Sequence, residues 1–396
     1  MKKFGFVVFV IMVFVACSKS DNPVAPPNQG GRDTSHPQVS EYLTKAKETH
    51  DFVINNLLTS YNSYRVNTTT NTNSAFEWYN VSQLYADAAM VALGDTSYFS
   101  YMNNTFKWLD NLWDKTDVNG GYFAFANLDG SGSGGIKYVD DNSLTGVIFL
   151  AAYDVTSGSI KQQYLDKAKA CANWIINSGL WDNNFGGGFW WNTDKPVKST
   201  QTNGLVLQLF LRLYDITQES IYKDWANSVN NWLSSKMYDA ATGLFFWQYD
   251  STGKKYPTIF TYDNAIMMEA YLLYVDVMHD NSYLGKAQAL GNAMNKTLWN
   301  GNHNVYVFNT NDARITPAWC GWASQAMIKL YEADKNISWL AYAKGNIDAI
   351  NVVLRDASSH GYYQFAALDG AGRYTNMEGV DAAWMQRVQA LLSKYK

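Results

Sequence analysis

One pattern recurs six times along this chain and narrows what it can fold into. An aromatic residue stands four positions before a small or apolar one, as Tyr42/Ala46, Tyr98/Met102, Tyr164/Ala168, Tyr222/Ala226, Tyr283/Ala287 and Trp339/Ala343. Successive copies lie 56 to 66 residues apart. A repeat of this length marks units that bury their apolar faces only against their neighbours. A separation of four puts both members of each pair on one helix face. Between copies lie segments that are apolar around most of a helical circumference, at 144–152, 205–213, 265–273 and 380–392. Such a segment predicts a buried helix, whereas the recurring helices carry lysines and asparagines on one side and predict a face toward water. Each unit therefore reads as an outer helix followed by an inner one. Six units fill residues 39–396, and neither end carries a polar capping repeat, so the expected fold is all-α and closed, an (α/α)6 toroid in place of an open solenoid.

The connections are unequal. Long segments rich in glycine, asparagine and aromatics run from each outer helix to the next inner one, at 114–139, 181–202, 238–261, 299–316 and 355–378, while the return links at 94–97 and 215–219 are short. Long loops carry function more often than short ones. All of them should emerge at the end of the ring where the inner helices begin, and a cleft is expected there. Gly-aromatic units recur in these loops: Gly120-Gly121-Tyr122-Phe123, Gly186-Gly187-Gly188-Phe189-Trp190-Trp191, Gly243-Leu244-Phe245-Phe246-Trp247 and Gly361-Tyr362-Tyr363. They read equally as short strand-like edges and as platforms for sugar rings.

The chain has 396 residues, a net charge of only −4, 15 Trp and 27 Tyr. That balance excludes nucleic acid as a natural partner, and the aromatic load suits flat, polar-edged ligands such as sugars. Lys2 and Lys3, an apolar run from Phe4 to Val15 and then Ala16-Cys17 read as an export signal. The small residue before Cys17 resembles the bacterial lipobox, which implies a signal peptide over 1–17 and a lipidated Cys17 anchoring the chain to a membrane without crossing it. An ordinary secretory signal with an incidental cysteine is the other reading. Residues 18–38 hold four of the seven prolines and little that is apolar, as a flexible tether would. Only Cys171 and Cys320 remain, too few for a disulfide framework.

The chemistry is expected at Asp140 and Asp141, where a Gly/Ser-rich loop gives way to an inner helix. One aspartate there caps the helix and meets the positive end of its dipole. Two in tandem place like charges together, at an energetic cost unless the pair is used. Hydrolysis of a glycosidic bond uses such a pair, one carboxylate to attack the anomeric carbon and one carboxylic acid to protonate the leaving oxygen, and close spacing favours retention of configuration. Mutual repulsion and the helix terminus would separate their acidities.

Tyr138-Val139-Asp140-Asp141-Asn142, the run Gly186 to Asn192, Asn203 and Phe260-Thr261-Tyr262-Asp263-Asn264-Ala265, in that order, resemble glycoside hydrolase family 76. The resemblance covers most of residues 39–396. It implies an (α/α)6 endo-α-1,6-mannanase acting on mannan, with Asp140 as nucleophile and Asp141 as acid/base. Where the family shows Thr-Tyr-Asn-Gln-Gly, this chain has Thr261-Tyr262-Asp263-Asn264-Ala265, which adds a carboxylate near the expected cleft and removes an amide.

Trp190, Trp191, Asn203, Tyr262 and Asp263 are then expected at the subsites, with Trp78, Trp319 and Trp384 as further wall residues. Glu77, Asp87, Glu269, Glu378 and Asp381 are lesser candidates, for sugar hydroxyls or for capping. The five histidines show no metal-ligand spacing and no pair of the kind used by sugar epimerases on this toroid. No Gly-x-Ser-x-Gly, P-loop or CxxC motif is present. No cofactor or metal is expected, and the expected partners are polysaccharide and, through the anchor alone, a membrane, with the chain a monomer. A toroid glycosidase or lyase for another polysaccharide and a non-catalytic glycan-binding lipoprotein are the competing readings.

Overall fold

The computed structural model describes residues 40–395 apart from Asn71. The expected signal peptide, Cys17 and the tether lie outside the described residues. Six inner helices, α2 (Glu77–Ala92), α4 (Val139–Asp154), α6 (Thr200–Thr217), α8 (Thr261–Met278), α10 (Pro317–Asp334) and α12 (Gly379–Leu392), alternate with six outer ones, α1 (Glu41–Asn56), α3 (Phe99–Leu109), α5 (Gly158–Asn177), α7 (Ser220–Trp232), α9 (Ser282–Thr297) and α11 (Ile337–Leu354). Each inner helix packs on the next, and α12 packs on α2, so the ring closes as an (α/α)6 toroid.

The recurring sequence pair is the face that docks each outer helix. Ala46, Met102, Ala168, Ala226, Ala287 and Ala343 are all fully buried, and the four alanines beside aromatic rings in α5, α7, α9 and α11 let these helices approach the inner ring closely. The pairing of helices differs from the expected unit. Each outer helix packs chiefly on the inner helix that precedes it, α3 on α2 through α11 on α10, because the short return links hold these two together. The first outer helix, α1, packs on the last inner one, α12. The ring is thus closed by the two ends of the described chain.

Inner helices also approach closely. A Cβ on Gly146 in α4 would stand 2.7 Å from a methyl of Leu209 in α6, so glycine is needed for that contact.

In each Gly-aromatic unit the first aromatic forms a strand-like edge. In every outer-to-inner connection the chain leaving the outer helix pairs antiparallel with the stretch that follows its turn: Leu58 with Tyr64, Trp113 with Tyr122, Trp181 with Phe189, Tyr238 with Phe245, Trp299 with Tyr306 and Arg355 with Tyr362. Gly188 has a φ of +83°, and a side chain there would run into Trp232 at 2.4 Å.

A buried asparagine clamps most of these hairpins. It is the fourth residue of its inner helix: Asn80, Asn142, Asn203 and Asn264. Their carboxamide oxygens accept from the backbone N–H of Tyr64 (2.8 Å), Tyr122 (2.7 Å), Phe189 (2.7 Å) and Phe245 (2.8 Å). Their amide groups donate to carbonyls at the helix start, for Asn264 to Phe260 at 2.9 Å and back to Phe245 at 3.0 Å. In α10 this position is Cys320, and Asn346 of α11 takes over, accepting from Tyr306 N–H at 2.9 Å and donating to the Cys320 carbonyl at 3.0 Å.

Such a clamp satisfies backbone groups that burial would otherwise leave unpaired, at about 1 to 3 kcal/mol each. Asn264→Ala is therefore expected to lower stability in denaturant titration by about 2 kcal/mol or more. Asn173→Ala, on the exposed side of α5, should stay within about 0.5 kcal/mol. Equal effects of the two would show that the clamp is incidental.

Candidate active site

The loops and the inner-helix N-termini surround a cleft of about 230 Å³, lined by Phe76, Trp78, Tyr138, Asp140, Asp141, Leu144, Trp191, Gln201, Leu205, Trp319 and Trp322. Its lining follows a register. Counting from the first helical residue, positions two, three and six face the cleft: Asp140, Asp141 and Leu144 from α4, Gln201 and Leu205 from α6, Trp319 and Trp322 from α10, and Trp78 from α2. These positions share one side of a 3.6-residue helix, while position four points into the wall and serves as the clamp.

Tyr138 caps α4 in an extended conformation. Two residues from the helix start, buried Lys137 binds Asp114 at 2.7 Å, Asp117 at 2.9 Å and the Gly120 carbonyl at 2.7 Å. Lys198 repeats this clip before α6, on Asp182 and the Gly187 carbonyl, both at 2.7 Å. On the other side, the Val139 N–H donates to the Trp191 carbonyl at 2.8 Å, strapping the third loop along the start of α4. Tyr138 and Trp191 rings meet at 4.8 Å. The first turn that carries both aspartates is therefore held from two directions.

The strap gives the two aspartates different surroundings. Asp140 is 7% exposed. Its Oδ2 accepts from Trp191 Nε1 at 2.8 Å and its Oδ1 from the Asp141 N–H at 3.1 Å. Burial raises its pKa to about 7, and these N–H groups oppose that rise. Asp141 is partly open to the cleft. Burial, then the charge of Asp140, push its pKa well above the usual carboxylate range, with no hydrogen bond to offset them.

Glu77, the first residue of α2 and fully buried, completes a group of three acids. Its Oε1 accepts from Thr145 Oγ1 at 2.8 Å, one helical turn beyond Asp141. Its pKa is raised by burial first and by Asp141 next.

Alternate inner helices share a feature that the sequence did not reveal. The third residue of α4, α8 and α12 is an aspartate: Asp141, Asp263 and Asp381. Asp381 Oδ1 accepts from the Ala318 N–H in the first turn of the preceding inner helix, at 3.0 Å. Asp263 faces the Gln201 amide in the same sense, although no donor stands at hydrogen-bonding distance. Asp141 occupies the equivalent place and its carboxyl instead faces the cleft.

Of the residues expected at the site, Asp140, Asp141, Trp191, Trp78 and Trp319 line the cleft together, Trp78 and Trp319 with rings 5.3 Å apart. Tyr262 backs Trp319 at 4.7 Å and is itself buried. Four others stand in the wall. Asn203 spends its amide on the Phe189 hairpin and is fully buried. Trp190 packs into the core over Lys198, 5.1 Å from its ammonium. Trp384 packs against Trp322 with its ring tilted, centroids 4.2 Å apart. Asp263, the carboxylate that departs from the family motif, is fully enclosed one layer behind Gln201, so burial drives its pKa well up. The sequence reading missed Trp322 and Gln201. The i, i+3 spacing from Trp319 signals the first, and the match in register to Asp140 signals the second.

An acid whose folded pKa is raised stabilises the fold below its unfolded value and loses that contribution as pH climbs through the folded one. For Asp140 the window runs from about pH 4 to 7. Asp140→Asn removes the charge and keeps the shape, so its thermal midpoint should exceed that of the wild type at pH 8 by more than at pH 5. A difference that does not change with pH would show that Asp140 is not desolvated.

No curated protein matches the chain. Among solved structures, a family 76 α-mannanase of Bacteroides thetaiotaomicron is similar at a TM-score of 0.79 and 22% identity, covering 89% of this chain and 96% of that one. An α-1,6-mannanase of Salegentibacter sp. HEL1_6 is similar at 0.70 and 17%, covering 89% and 99%. Its structure is that of a variant inactivated by changing two consecutive aspartates to asparagine, in complex with α-1,6-mannotriose. A cellobiose 2-epimerase of Bacillus thermoamylovorans matches at 0.73 and 14%, covering 88% and 98%. At these identities the likeness is one of fold. The family model for glycosyl hydrolase family 76 matches residues 45–315, which include the clipped loop, the Asp140–Asp141 turn, the strap and the inner helices α2 to α8, and the chain belongs to that family.

Proposed function

We propose that the protein is a retaining glycoside hydrolase that cleaves α-1,6-mannosidic bonds within mannan. The observation that carries this reading is the unequal treatment of two adjacent carboxyls in one cleft. Asp140 receives two N–H groups that favour its anion, whereas Asp141 receives none and lies beside that anion. The substrate class draws support from the family and from the similar α-1,6-mannanase seen with α-1,6-mannotriose.

In the first step Asp140 attacks the anomeric carbon, the bond to the leaving oxygen breaks, and Asp141 gives that oxygen its proton. The charge on Asp140 is then consumed in the ester. Asp141, now the anion, takes a proton from water as the water oxygen attacks the same carbon, and Asp140 departs as a carboxylate. Two inversions leave the configuration retained. Trp78, Trp319 and Trp191 offer apolar faces to the sugar rings.

Incubation with unbranched α-1,6-mannan and with yeast mannan tests this reading. Asp140→Ala and Asp141→Ala should each lose activity by about a hundredfold to ten-thousandfold or more. Proton NMR of the nascent reducing end should show the α anomer first. If wild type and both variants behave alike while still binding the glycan, the protein is a binding module and not an enzyme. A β product would refute double displacement.

The pH profile gives a separate check. Attack needs ionised Asp140, so kcat/KM should fall on the acid side of about pH 7. Trp191→Phe removes a donor that favours the anion and should move this limb to higher pH. An unmoved limb would assign it to another group.

A further inference from the structure

Beneath the cleft a polar column occupies the axis of the ring. Trp322, a lining residue of the cleft, is wedged between the tilted ring of Trp384 and an acceptor: its Nε1 donates to Glu269 Oε1 at 3.1 Å. Glu269, in α8, is 1% exposed. It also accepts from Gln325 Nε2, at 3.0 and 3.1 Å, and pairs with Lys329. Gln325 in turn accepts from Arg387 Nε at 2.6 Å, and the Arg387 guanidinium covers the Tyr85 ring at 3.1 Å and donates to the Tyr85 carbonyl at 3.1 Å. Lys329 and Arg387 line a second cavity, of about 380 Å³. Lys329 stands ten residues beyond Trp319 on α10, so this cavity lies about 15 Å further along the axis from the cleft wall.

A buried carboxylate with two cationic neighbours is more than an apolar ring core requires, since burying such a group is costly unless its partners are well placed. Among the described residues, its link toward the cleft is the indole of Trp322. We propose that Glu269 is a positioning residue for substrate: by accepting from Trp322 Nε1 it fixes the indole that forms the cleft floor, and Lys329 and Gln325 hold Glu269 in that role from the far side. The inference rests on the cleft being the sugar site proposed above.

Glu269→Met keeps length and volume without an acceptor, and Glu269→Gln keeps an oxygen for the indole. The Trp322 indole N–H signal is identified by its loss in Trp322→Phe, and its hydrogen exchange needs no substrate. Exchange should be about tenfold faster or more in Glu269→Met, with Glu269→Gln recovering most of the protection, as expected for loss of one hydrogen bond to a charged acceptor. On the mannan that the wild type cleaves, Glu269→Met should raise KM about tenfold with kcat within about threefold, and Glu269→Gln should recover most of that loss.

Unchanged exchange in Glu269→Met, or equal KM values for the two variants, would overturn the proposal. Should Glu269→Met not fold, Trp322→Phe removes the same bond, and a wild-type KM in that variant would overturn it equally. A wild type that leaves mannan intact counts against the substrate reading alone, because the indole exchange still decides whether Glu269 holds Trp322.

Discussion

Carboxylates placed where water is scarce govern this structure. Asp140, Asp141 and Glu77 stand together at the N-terminal ends of α4 and α2, where burial disfavours their charged forms. Against that cost the fold sets the Asp141 amide, the Trp191 indole and the positive end of α4. There are enough of these for one charge, and they converge on Asp140. Burial and mutual repulsion hold the pKa values of Asp141 and Glu77 well above the usual carboxylate range, while the donors favour the anion on Asp140, an asymmetry that the proposed double displacement would use. The Lys137 clip and the Trp191 strap matter because a small displacement of that first turn would move the N–H groups off the carboxylate.

The ring turns a structural habit into a site. The inner helices share a register: position four clamps a loop hairpin in α2, α4, α6 and α8, and the helical residues that line the cleft come from positions two, three and six. At position three, alternate helices carry an aspartate that faces the first turn of the previous helix. Asp381 is spent on that contact, and Asp263 is enclosed near it. Asp141 is the copy whose carboxyl opens onto the cleft, and the acid next to it in sequence, Asp140, is the one supplied with donors. Residues of one type at one register thus bond a neighbouring backbone in one helix and open onto the cleft in another, according to what stands opposite.

The axis of the toroid has a second polar layer, below the cleft. An apolar plug would fill that space with less desolvation. The column from Trp322 through Glu269 and Gln325 to Arg387 instead fixes side-chain orientation, because hydrogen bonds set angles where apolar contacts set only distances. Its position beneath the aromatic floor connects this orientation to the shape of the cleft.

Much of this was determined by the sequence alone. Helical spacing set the six aromatic/small pairs that dock the outer helices, the apolar inner segments and the long loops on one face, because periodicity along a chain is itself the record of which side is buried. The Asp140–Asp141 pair stood out because tandem charges at a helix start are costly, and the structure brings both to the cleft. Tertiary structure decided what depends on the neighbour across the ring. Asn203, Asp263, Trp190 and Trp384 carry the chemistry of a sugar site, yet each stands in the wall: Asn203 by its place on the helix, Trp190 by the loop that lays it over Lys198, and Asp263 and Trp384, which share the register of Asp141 and Trp322, by what packs over them. Which outer helix pairs with which inner one, and which aspartate receives the donors, follow from distances between residues remote in sequence, and no local pattern encodes those.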